Sequence, residues 1–167
     1  MTTKRESNKD KKVKQRVKPW LWWTLAGVFA LFIIASVIGG EVLDWYETVP
    51  GFDKVLHTIS GAYFAVVGLA LGYKVARAKP FYIALFAFCF AVTVGVLWEF
   101  IEFAADSWFG FNMLRWRDYS NNKFGSALTD TLWDMILATI AALVVCAIGY
   151  FYLRRRSKKS GQNEQNR

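Results

Sequence analysis

Three pairs of ionisable residues interrupt otherwise apolar sequence: Asp53 with His57, Glu99 with Glu102, and Asp130 with Asp134. Spacings of three or four residues put both members of a pair on one helix face. Ionisable groups are costly in a bilayer unless they face one another, water or a metal. Together the pairs offer carboxylate oxygens and one imidazole. That set suits Mg²⁺, Mn²⁺, Ca²⁺, Fe²⁺ or Zn²⁺ without choosing among them. All six are therefore candidate metal ligands. His57, Glu99 and Glu102 are also candidates for moving protons in catalysis.

Neighbouring carboxylates cannot all stay ionised without a counter-charge. Three are open: a divalent cation, Arg115 or Arg117 folding down from the connection before the last span, or protons shared between the acids. Plainer roles exist too. Asp53 and Asp130 could cap the helices that they open. His57, the single histidine, could be a hydrogen-bonding residue. Glu99, Glu102 and Asp134 have no capping role to fall back on. With one histidine, a ferritin-type di-iron site fails for want of two Glu-x-x-His motifs. No phosphate-cradling glycine loop, G-x-S-x-G or H-E-x-x-H occurs. Ser60, one turn after His57, is badly placed for a Ser/His/Asp arrangement. No organic cofactor is indicated.

The elements that position these residues follow from the apolar runs. Of 167 residues, 54% are hydrophobic and 17% aromatic, more continuous apolar sequence than a soluble domain needs. A span takes about 20 apolar residues. Four stretches qualify: residues 20–40, 55–73, 81–105 and 128–153. They predict an all-α, four-helix transmembrane bundle over residues 19–153. It follows a basic disordered head (1–18) and precedes a basic tail (154–167), disordered after Lys159. Phe81 to Trp98 covers ~27 Å as a helix, which nearly crosses a ~30 Å hydrocarbon core. The acids thus sit at its edge, not at its middle. Gly61 and Gly68 on the second span, and Ala138 and Ala141 on the fourth, would let these helices approach closely. The aromatic connection from Asp106 to Gly125 reads as an interfacial cap. Cys89 and Cys146 fall inside spans and should pack as small apolar groups.

A net charge of +8 suggests nucleic acid until its distribution is read. Cations crowd the head, the connection between spans two and three (Lys74, Arg77, Lys79) and the tail (Arg154, Arg155, Arg156, Lys158, Lys159). Four spans put all three on one side, and the positive-inside rule makes that side cytoplasmic. Topology therefore accounts for the charge without nucleic acid. Both termini are expected in the cytoplasm, with the first span an uncleaved anchor and the paired acids at the outer leaflet.

The segments FDKVLH (Phe52 to His57), WEFIEF (Trp98 to Phe103) and DTLWDM (Asp130 to Met135) resemble the YjdF-like family of bacterial inner-membrane proteins. The first is also loosely similar to VanZ-like proteins. The resemblance implies a multi-pass protein of the bacterial cytoplasmic membrane and carries no activity with it. Two functions stay open. One is a hydrolase or transferase acting on an anionic lipid or envelope precursor at a metal site. The other is an accessory cation- or lipid-binding protein, homo-oligomeric or not, whose acids are structural.

Overall fold

The computed structural model describes residues 18–75, 78–114 and 127–165. These residues are mostly helical with no strand among them, and four helices are long and apolar enough to cross a membrane. Helix formation along such runs is forced, because hydrocarbon leaves backbone N–H and C=O groups no partner outside their own helix. Helix α1 (Pro19–Ile34) starts where Pro19 needs no donor, behind an extended Lys18. It continues as a π-helical segment (Ala35–Val42) closed by Leu43 N–H donating to the Ile38 carbonyl at 3.0 Å. Asp44, at φ 54°, reverses the chain into the single turn α2 (Trp45–Thr48). A Cβ on Gly39 would lie 2.6 Å from the Trp45 ring, and one on Gly40 would enter the Tyr46 ring. The two glycines let α2 fold flat against the helix it follows. Buried Tyr46 pairs with Ser36, oxygen to oxygen, at 2.8 Å. Burial pushes this phenol well above its ordinary pKa, so it stays a neutral partner.

Helices α3 (Phe52–Val75), α4 (Pro80–Phe109) and α5 (Ala127–Gln165) form the packed unit. Its core is made of small side chains: Ala65, Ala87, Ala91, Ala142 and Cys146, flanked by Phe64, Leu69, Phe88 and Val145. Small residues matter here because close backbone approach supplies the van der Waals contact that lipid cannot. A Cβ on Gly61 would strike the backbone of Ala138, and one on Gly68 would lie 2.7 Å from the Ala87 Cα. The expected small-residue faces thus exist. Gly61 meets α5 and Gly68 meets α4, and on α5 Ala142 is buried more fully than the expected Ala141. Cys146 joins the core, whereas Cys89 is exposed.

Helix α1 is attached by rings. Phe29 stacks on Tyr63 and meets Phe64 edge-on, Phe32 meets Trp98, and the Tyr63 hydroxyl donates to the Leu25 carbonyl at 2.8 Å. The outer surface of the bundle is apolar, with Ile140, Leu143, Val144 and Ile148 exposed along α5. A patch of that kind suits lipid and would be a liability in water.

Several boundaries differ from the apolar runs. Helix α4 continues past 105 to Phe109 and ends at Gly110, whose φ of 71° stops it. Helix α5 runs to Gln165, without the disorder expected after Lys159. The basic head up to residue 17, Arg115, Arg117 and the rest of the expected cap up to Gly125 lie outside the described residues.

Candidate functional site

The first turns of α3 supply Asp53 and His57, the last turns of α4 supply Glu99 and Glu102, and the first turns of α5 supply Asp130 and Asp134. All six side chains are buried. The helix order explains the meeting: α3 and α5 begin at the end of the bundle where α4 finishes. Asp53 and Asp130 lie inside their first turns, not ahead of them. Asp53 presents Oδ1 to His57 and Oδ2 to Lys54.

The site has two halves joined by Asp53. In one, the Lys54 ammonium lies between helices and donates to Asp134 Oδ2 at 2.8 Å, Asp53 Oδ2 at 3.2 Å and Asp130 Oδ1. In the other, His57 is surrounded by acids. Its Nε2 stands 3.5 Å from Asp53 Oδ1 and 3.6 Å from Glu102 Oε1, and its Nδ1 stands 3.6 Å from Glu99 Oε1. Those separations are too long for hydrogen bonds. They resemble the spacing of donors around one ion, since ligands at 2.0–2.1 Å in a tetrahedral site lie about 3.4 Å apart. Single donor atoms of Asp53, His57 and Glu102 all fall within 4.8 Å of one another. Those of Asp53, Asp130 and Asp134 do likewise, but there the Lys54 ammonium already occupies the centre.

Charge is crowded and hydrogen bonding unfinished in the histidine half. Among the described residues five carboxylates gather around one lysine and one histidine. Both carboxylate oxygens of Glu99 and Asp134 Oδ1 are buried with no hydrogen-bond partner. Such groups are expensive in a low-dielectric interior. Glu102 is oriented from outside the cluster. The Trp98 indole N–H donates to its Oε1 at 2.6 Å, while Phe32 of α1 packs edge-on against that indole. A donor held this way is the outer support that metal-binding carboxylates commonly carry.

Sequence reasoning missed Lys54 and Trp98. Lys54 did carry a signal: it stands at the entrance of the second apolar run, directly after Asp53. Trp98, one turn before Glu102, was legible only as an interfacial aromatic. Two other residues have settled roles. The Ser60 hydroxyl donates to the His57 backbone carbonyl at 2.9 Å, so it is not presented to the imidazole. Asp106, in register with the Glu99–Glu102 stripe, accepts the Met113 and Leu114 backbone N–H groups at 2.8 and 3.0 Å. It clamps the chain leaving α4 and is not part of the cluster.

A family model described as a predicted membrane protein family, DUF2238, matches residues 13–155. The chain belongs to that family. The match covers all four spans and every residue of the site, so the DUF2238 assignment agrees with a membrane protein of four apolar helices. No curated protein and no solved structure matches the chain.

Proposed function

We propose that this DUF2238 protein binds one divalent cation in the histidine half of its cluster, through Asp53, His57 and Glu102, with Glu99 beside them. The observation that carries this reading is the convergence of Asp53 Oδ1 and Glu102 Oε1 on His57 Nε2, at 3.5 and 3.6 Å, with donor atoms of all three residues within 4.8 Å of one another. One imidazole with carboxylates fits Mn²⁺, Fe²⁺ or Zn²⁺ better than Mg²⁺ or Ca²⁺, which favour oxygen alone. Asp130 and Asp134 hold Lys54 in this reading and leave the ligand set. A bound cation there would polarise a phosphoryl or acyl oxygen of an anionic lipid or envelope substrate. Glu99 is the residue left to carry a proton. We place the cluster at the outer leaflet of a bacterial cytoplasmic membrane, with both termini inside, on the strength of the cation distribution. The likeness of the three motifs to YjdF-like proteins is part of the same proposal.

The test is titration of chelator-treated, detergent-purified protein with Mn²⁺, Zn²⁺, Ca²⁺ and Mg²⁺, with elemental analysis of the protein as isolated. We expect one transition-metal ion per chain, lost in His57→Ala and in Glu102→Gln and kept in Lys54→Met. Absence of saturable binding by the wild type would overturn the reading. A second reading, in which the acids only hold the bundle together, is favoured by the three contacts of Lys54. It requires Glu102→Gln to lower thermal stability with no cation bound to the wild type.

A further inference from the structure

We propose that the far end of α5 from the acidic cluster is a binding site for the headgroup of an anionic phospholipid. The inference does not rest on the cation reading. From Asp130 to Arg154 the helix rises ~36 Å, more than a ~30 Å hydrocarbon core. With the acids at one edge of the core, Arg154 therefore stands in the headgroup layer of the opposite leaflet. Phe151, Arg154, Arg155 and Lys158 are spaced as neighbours on one helix face, and they line one shallow concavity of about 300 Å³.

The face is directed outward by what the neighbouring residues do. Arg156 turns the other way and lays its guanidinium over the Tyr73 ring of α3, 5.7 Å from the centroid. That contact pins α5 to the bundle while Arg154, Arg155 and Lys158 stay exposed. Arg154 is held over Tyr150, 5.9 Å from its ring centroid, with its Nη1 3.5 Å from the phenol oxygen. Such anchoring lowers the ordering cost of docking a ligand. Guanidinium forks match phosphate oxygens. Phe151 and Tyr152, both exposed, offer apolar surface where the acyl chains begin. A phosphate with a hydrocarbon body satisfies both parts, and free phosphate satisfies only the first.

Native mass spectrometry of the full chain, released from nanodiscs of equal phosphatidylglycerol and phosphatidylcholine, reads the site directly. We expect the wild type to retain phosphatidylglycerol at least about fivefold over phosphatidylcholine, with the preference falling as salt rises. Arg154→Gln combined with Arg155→Gln and Lys158→Gln should abolish it. Lys79→Gln, another exposed cation near that end, should not. Arg154→Gln alone, expected to halve the preference, serves if the triple variant does not fold. No preference in the wild type, or one unchanged in the Arg154 variants, would overturn the proposal. So would equal loss in Lys79→Gln, since that would mean net charge acts without a site.

Discussion

Lys54 joins two helices through a single ammonium, and its stem lets a residue on α3 reach the acids of α5. Only about a quarter of the side chain is exposed, so the group is largely withdrawn from water. Removing one partner from such a network is costly because the others keep their charge without compensation. Lys54→Met should therefore destabilise the protein by about 3 kcal/mol, measured as a lowered midpoint of thermal unfolding in detergent. Adding Asp130→Asn and Asp134→Asn to Lys54→Met should restore part of the loss, since the charges left stranded are then removed. An unchanged midpoint in Lys54→Met would show that the three contacts contribute nothing. The same contacts explain why sequence alone did not name Lys54 among the counter-charges. A lysine at the very start of a span is ordinarily read as reaching outward to the headgroups. Nothing in the local sequence says that its partners lie 76 and 80 positions away. The acids were legible for the opposite reason: a carboxylate in an apolar run has no ordinary use.

At the scale of elements, the helices differ in what their glycines do. On Gly61 a new Cβ would meet the backbone of Ala138, which cannot step aside, whereas around Gly95 a Cβ would meet nothing within 4 Å. Gly61→Ala should lower stability by roughly 1–3 kcal/mol, the usual range for forcing atoms into a packed contact. Gly95→Ala should be neutral or stabilising by up to about 1 kcal/mol, because alanine suits a helix interior better. The two midpoints measured side by side check the packing of α3 on α5, and equal effects would refute it. Spans were readable because membrane helices are specified by run length, but their ends were not. The π-helical end of α1 has the rings of α2 against Gly39 and Gly40, a contact between residues that hydropathy treats separately. The length of α4 depends on Asp106 and Gly110 closing it, and a charge in its last turn was read as the start of a loop. In α5 the polar end stays helical beyond its apolar run, which hydropathy cannot register.

Taken whole, the molecule is polarised along its axis. Buried acids occupy the end where α3 and α5 begin. Lys18, Lys74, Lys79 and the arginines of α5 occupy the other, with Lys74 over the Trp22 ring at 5.3 Å. The orientation proposed from this asymmetry has a direct check in a cysteine-free background made with Cys89→Ala and Cys146→Ala. A membrane-impermeant maleimide added to intact cells should label Glu47→Cys and not Lys158→Cys, and broken cells should label both. The reverse pattern would invert the bundle and put the acidic cluster on the cytoplasmic side.

The division between a ring-attached α1 and an interlocked α3–α5 unit also bears on how the chain is made. Every side chain of the cluster described above comes from the later three helices, and the first span brings one acid of its own, Glu41, close to its end. Helix α3 follows with Asp53, Lys54 and His57 already side by side. The neighbouring carboxylate and ammonium, 3.2 Å apart in the finished protein, can offset each other from the outset. The partners on α5 are made 76 positions later. At about 5–20 residues per second, that interval is on the order of 4–15 s. Helix α4 is made within that interval, so Glu102 waits only about 1–6 s at the same rate for α5, facing His57 of α3 meanwhile. Helix α5 is thus the one that completes the polar cluster, and a chain that stops short of Asp130 leaves Lys54 without its two partners on that helix.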